Sequence, residues 1–135
     1  MRRFGVSLPD ELLAKFDKFI RKKNYSNRSK AIADLIRQEL IKEQWKENKK
    51  VAGAITLIYN HHKRDLLNRL TDIQHNFQKI IISAQHIHLD KENCLEIIAV
   101  RGLPKEAEKL ANTLKAVKGV KHTVLSMSST GKSIE

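Results

Sequence analysis

Two periods of apolar residues divide this chain of 135 residues. In residues 3–8, Phe4, Val6 and Leu8 alternate with Arg3, Gly5 and Ser7, the period-two signature of a short two-faced strand. Pro9-Asp10-Glu11 then has the chemistry of a helix start, with proline early and acids in the first turn. Leu12, Leu13, Phe16, Phe19 and Ile20 follow at helical spacing until Asn24-Tyr25-Ser26-Asn27 breaks the pattern. A second helix starts near Arg28-Ser29, carries Ile32, Leu35, Ile36 and Leu40 on one face, and runs to about Trp45. The polar stretch 42–50 holds the linker. Beyond it the pattern reads strand, helix, strand, strand, helix, strand, over residues 51–59, 62–77, 80–89, 94–101, 105–117 and 120–127. A βαββαβ order predicts a ferredoxin-like sheet with both helices on one face, so the other face calls for cover by further copies. The fold class is α+β, and the expected domains are 1–46, a linker at 47–50, 51–128, and a loose polar tail at 129–135.

The N-terminal unit has a physical problem that points to its answer. One short strand has no sheet to join, and fifty residues bury too little apolar surface to fold alone. Pairing the strand antiparallel with its copy from a second chain removes both difficulties and makes an obligate dimer. Phe4, Val6 and Leu8 then face the core, while Arg3, Gly5 and Ser7 face outward. Such a two-stranded ribbon fits the DNA major groove, where arginine reads guanine and short hydroxyl side chains read other base edges.

Charge supports an anionic partner. The formal charge is +11, with 14 Lys/Arg against 7 Asp/Glu in residues 1–50 and 12 against 8 in the remainder. The chain has no long uninterrupted apolar run, and its N-terminus has no signal-peptide character, so it reads as cytoplasmic with no membrane partner. A single cysteine, Cys94, fits a reducing compartment.

The candidate chemistry lies in His86-x-His88-x5-Cys94. In a strand, positions i and i+2 share a face, and a turn through residues 90–93 could bring Cys94 opposite His88. Two imidazoles and one thiolate make three ligands for a late transition metal, with a fourth missing. His75 lies on a helix whose apolar stripe is Leu66, Leu70, Ile73 and Phe77. At about 100° per residue it points away from that stripe, free to meet a neighbouring subunit. His61, His62 and His122 read as surface histidines. Gly131-Lys132-Ser133 imitates the end of a phosphate loop but lacks the required glycine, which would stand at Ser126. No nucleophile–base pair suggests an enzyme.

Two resemblances follow from these residues. Tyr25-Ser26-Asn27-Arg28-Ser29-Lys30-Ala31-Ile32 and the strand before it resemble the ribbon-helix-helix class of DNA-binding proteins. There the start of the second helix clamps a phosphate, a role that falls to Ser29 with the backbone around Asn27 and Arg28. The two modules together, with His75-x10-His86-x-His88-x5-Cys94-Leu95-Glu96, resemble the nickel-responsive transcriptional regulators from Arg3 to about Met127. That resemblance implies an ACT-type regulatory domain and a homotetramer built as a dimer of dimers. It also implies one square-planar Ni²⁺ per subunit, held by His86, His88 and Cys94 with His75 from the adjacent subunit. Glu96 is the expected acceptor for an imidazole N–H. Lys63 and Arg64 match positions that touch the DNA backbone once metal has bound. The implied function is repression of nickel-uptake genes through palindromic operator half-sites.

The chain departs from the family pattern at several positions. Gly5 and Ser7 stand where Ser or Thr is common, Lys30 replaces an acidic residue that pairs with the equivalent of Asp34 around a cation, and Ala33 replaces an arginine. Two rival functions are an amino-acid or other small-molecule sensor built on the same DNA-binding unit, and a metal buffer or chaperone.

Overall fold

The structure is a computed structural model describing residues 1–135. It divides into two compact units, Met1–Glu39 and Leu40–Glu135.

In the first unit, residues 1–9 are exposed and have no regular secondary structure; α1 (Asp10–Lys22) and the start of α2 (Arg28–Lys46) follow. A strand forms only against a hydrogen-bonded neighbour, and a single chain offers residues 3–8 none, so the segment expected as a strand has no ladder. Its apolar side chains are correspondingly bare, Phe4 being 72% exposed, as are Leu12, Leu35 and Ile36 on the helices. What does pack is the seam between the helices. Ile20 and Ala31 are buried, Phe16, Phe19 and Tyr25 form a run of ring contacts, and the Arg28 guanidinium is held bidentately by Asp17 at 2.9 Å. That pair holds the Asp17 carboxyl below its ordinary pKa.

The second unit is a four-stranded antiparallel sheet in the order β2-β3-β1-β4. Its elements are β1 (Val51–Asn60), α3 (Arg64–Asn76), β2 (Ile81–His88), β3 (Asn93–Gly102), α4 (Pro104–Lys115) and β4 (Val120–Met127). The order is the expected βαββαβ. Alternation decides which face is covered. Val51, Ile55, Leu57 and Tyr59 of β1 and Cys94, Glu96, Ile98 and Val100 of β3 are buried, and the apolar members share one core cluster with Leu66, Leu70 and Ile73 of α3 and Leu110 and Leu114 of α4. The alternate positions Ile58, Leu95 and Ile97 are half-buried.

The division of the chain falls at Glu39/Leu40, inside α2, rather than after residue 46. Trp45 enters the core of the second unit and Ile41 packs against it, so the last turns of the helix belong there. The expected linker at 47–50 is a short turn. Asn48 adopts φ +54, Asn48 N–H bonds to Trp45 O and Lys49 N–H to Gln44 O, the double bond pattern that ends a helix through a left-handed residue. The tail at 129–135 also departs from a loose segment: Gly131 N–H bonds to Ser129 Oγ at 3.0 Å, and Lys132 O accepts from Gln44 Nε2.

Gly53 is where these parts meet. A Cβ there would sit 2.6 Å from Ser126 O and 3.5 Å from the Trp45 ring. Gly53→Ala is expected to destabilise the second unit by about 1–3 kcal/mol through overpacking, measured by urea denaturation.

Candidate metal centre and nucleic-acid interface

The register of two strand pairs assembles the candidate centre. His86 stands opposite Glu96 and His88 opposite Cys94, while β1 places Tyr59 opposite Cys94 and Leu57 opposite Glu96. All these side chains share the helix-covered face because directly opposed residues project the same way. At its β2 edge the cover ends. His86 and His88 are exposed, whereas Cys94, Tyr59 and Glu96 are almost wholly buried.

Glu96, 1% exposed, is the one buried charged residue of the chain. A buried carboxyl is tolerated only where hydrogen bonds replace water. Tyr59 Oη donates to Oε1 at 2.7 Å, and Gln74 Nε2 donates to Oε2 at 2.9 Å. Burial first, and then the bond to Glu96, push the Tyr59 phenol well above its ordinary pKa, so it remains a donor.

The His86 ring rests on this pair. Its Nδ1 lies 3.3 Å from Tyr59 Oη, while Nε2 lies 3.5 Å from Glu96 Oε2, beyond good hydrogen-bond length. With its own proton on Glu96, Tyr59 Oη can accept from a proton on Nδ1, the tautomer in which Nε2 carries the lone pair. This is the state a metal-binding imidazole needs. Cys94 Sγ makes a weak contact to Leu95 O at 3.7 Å and also interacts with the Tyr59 phenol. Two imidazoles and a soft sulfur on one face fit a late transition metal. Within the chain, no three of the His, Cys, Asp and Glu side chains come together as a metal-holding group.

His75 is exposed, and the residue before it explains its direction. Gln74 reaches inward to Glu96, with Ile73 buried beside it, so the next position on α3 turns out of the core. The structure thus brings His86, His88, Cys94 and Glu96 to one face and leaves His75 outside that cluster. Sequence reasoning missed Tyr59 and Gln74. Both sit within apolar patterns, and only the strand and helix phases bring them to Glu96.

His61 also corrects its reading as a surface histidine. It is half-buried and stacks on His88, with ring centroids 4.4 Å apart and 9° between planes. The reason is the β2–β3 hairpin tip, which folds against the β1–α3 turn. His61 N–H bonds to Glu92 O, and His62 Nε2 bonds to Lys91 O. Asp90 shapes that tip by accepting from Asn93 and from the backbone N–H groups of Glu92 and Asn93, which lower its pKa from 3.8 to about 2.

Of the expected DNA contacts, Arg3, Gly5 and Ser7 are exposed on the extended N-terminal segment. Asn27 caps α2, its Oδ1 accepting from Lys30 N–H at 2.9 Å, which leaves the N–H groups of Arg28 and Ser29 without that cap. Arg28's side chain is committed to Asp17. Lys30 places its ammonium 2.7 Å from Asp34. Lys63 and Arg64 are exposed at the start of α3, where with Arg69 and Lys118 they line a surface groove of about 660 Å³. Nothing in the sequence pattern pointed to Arg69 or Lys118.

The family described as the NikR C-terminal nickel-binding domain matches residues 52–128, and the ribbon-helix-helix protein, copG family, matches residues 2–43. The chain belongs to the NikR family. Similar proteins carry the name "Putative nickel-responsive regulator". One from Syntrophus aciditrophicus is 62% identical, covering 96% of this chain and 95% of that protein. Another from Chlorobium limicola is 57% identical with 96% of each covered, and one from Thermococcus kodakarensis is 47% identical over 98% of this chain and 96% of that protein. Among solved structures, uncharacterized protein TM1266 from Thermotoga maritima shares the fold of the sheet unit, with TM-score 0.51 and 16% identity over 57% of this chain and 98% of that one.

Two sites of change test this hydrogen-bond network, Tyr59 and Asp90. Tyr59→Phe removes one of the two donors to the buried Glu96 and is expected to cost about 1–3 kcal/mol in urea denaturation of the metal-free protein. Because the Asp90 pKa is depressed, its contribution is present above pH 3.8 and lost as pH falls towards 2. Amide exchange at Glu92 and Asn93, read against the intrinsic exchange rate, should lose protection across that interval. Asp90→Ala should show the loss already at neutral pH.

Proposed function

We propose that this protein is a nickel-responsive DNA-binding transcriptional regulator. It represses nickel-uptake genes by binding palindromic half-sites as a homotetramer, a dimer of dimers. The observation that carries the reading is the register setting His86 and His88 over Glu96 and Cys94, on the same chain as a ribbon-helix-helix unit.

His86, His88 and Cys94 would hold Ni²⁺ from one subunit and His75 from its neighbour. The ion, when bound, would supply a rigid cross-link between these donors. Glu96 and Tyr59 keep His86 in the tautomer that leaves Nε2 free, and Cys94 supplies the sulfur donor. His88 stacks on His61, and the hairpin carrying His88 and Cys94 is hydrogen-bonded to the β1–α3 turn. Immobilising His88 therefore restrains the turn that presents Lys63 and Arg64 to DNA phosphates. Exposed Phe4, Val6 and Leu8 support pairing of two such strands into one ribbon, with Arg3, Gly5 and Ser7 directed at the major groove. The N-terminus of α2, with Ser29 and the backbone of Asn27 and Arg28, supports a phosphate clamp. For a switch, nickel must bind the DNA-competent arrangement better than the alternatives.

Operator affinity titrated with Ni²⁺, Cu²⁺, Zn²⁺ and no metal at fixed salt tests the proposal. Nickel is expected to tighten binding, and equal affinity with and without nickel would sink it. Cys94→Ser should abolish the nickel-dependent gain. If regulation survives that change, the small-molecule sensor is correct; if no operator binding is found, the metal buffer is. Replacing Lys63 and Arg64 by alanine should weaken nickel-loaded binding across sequences and reduce the salt slope by about 2, one per lost phosphate contact.

A further inference from the structure

Trp45 is the only tryptophan of the chain, and the end of α2 is built around it. At the last turn of a helix running into polar residues, an indole would ordinarily face water. Instead it is 7% exposed and joins the core cluster that contains Val51, Ile55 and Val100. Its six-membered ring lies over Gly53, where the missing side chain permits the approach. Its Nε1 donates to Ser128 O at 2.8 Å.

The residues after β4 complete the enclosure. Ser128 N–H continues the sheet by bonding to Ala52 O. Gly131, at φ +90, turns the chain, and its N–H bonds to Ser129 Oγ. Lys132 O then accepts from Gln44 Nε2 at 3.2 Å. On α4, Lys105 N–H donates to Asn48 Oδ1 at 3.3 Å. Gln44, Trp45 and Asn48 are therefore each tied to backbone of the sheet unit, two of the three by residues 128–132.

We propose that Trp45 is a positioning residue and residues 128–132 a strap, which together make the last turns of α2 part of the nickel-binding domain. The inference rests on the nickel-regulator reading for its functional consequence. A solvated tether at 42–50 would let the DNA-binding unit sample positions independently of the metal state. A clamped helix end passes a rearrangement of the sheet unit directly into α2.

The test compares the intact chain, a chain ending at Met127, and Trp45→Phe, each as the full nickel-loaded assembly. In the shortened chain, Trp45 emission should shift to the red with stronger acrylamide quenching, while nickel affinity stays unchanged. Nickel-dependent operator affinity should fall roughly 10-fold, equivalent to about 1.4 kcal/mol. Trp45→Phe keeps an aromatic ring but loses the N–H donor, so it should weaken operator binding less. Added to the shortened chain it should cause no further loss, since both changes remove one link. Unchanged emission in the shortened chain overturns the strap. An exposed indole with unaltered operator affinity overturns its positioning role, and a parallel loss of nickel affinity reduces it to general stability. If the intact protein binds its operator without regard to nickel, the regulator reading fails, whereas the emission result still decides whether the strap exists.

Discussion

One buried carboxyl group organises the metal-binding half of this protein. Glu96 lies on β3 beneath the helices, and a polar group in that position persists only if neighbouring elements deliver donors to it. Tyr59 comes from β1 and Gln74 from α3, while His86 of β2 leans on the same cluster. Four elements thus meet at a single side chain. The strand register and the phase of α3 are both conditions of satisfying it. This also accounts for the contrast across β2 and β3: the imidazoles of β2 are exposed, while Cys94, Glu96 and Tyr59 are sealed inside.

The hairpin tip extends this constraint to the surface. Asp90 closes the turn between the histidine strand and the cysteine strand, and the backbone at Lys91 and Glu92 bonds to His62 and His61. His61 then lies flat against His88. A change in how His88 is held has a short packed route to the turn that begins α3. The basic residues Lys63 and Arg64 stand at that turn. A network of this kind couples two sites only when both bias the same pair of arrangements.

The DNA-binding half is held together differently. Its helices meet through Ile20, Ala31 and the Asp17–Arg28 pair, yet Phe4, Val6, Leu8, Leu12, Leu35 and Ile36 have nothing to cover them. Residues 3–8 read as a strand because their alternation is correct, and form none because a ladder needs a partner. Lys30 and Asp34 add an ion pair within α2 at 2.7 Å.

Much of this was legible along the sequence. The period of apolar residues placed every helix and every strand of the sheet unit within a few positions, because burial on one face leaves a period of two or 3.6. The His86, His88 and Cys94 spacing placed the three on one sheet face, and the helical phase of His75 turned it outward. Spacing carries such information because side-chain direction repeats with the backbone. Tertiary structure alone decided the rest. Tyr59, Gln74 and His61 join the centre across 37, 22 and 27 residues of sequence, and Trp45 draws a polar-looking linker and tail into the core. Those placements depend on which elements pack together, and local periodicity carries no record of distant neighbours.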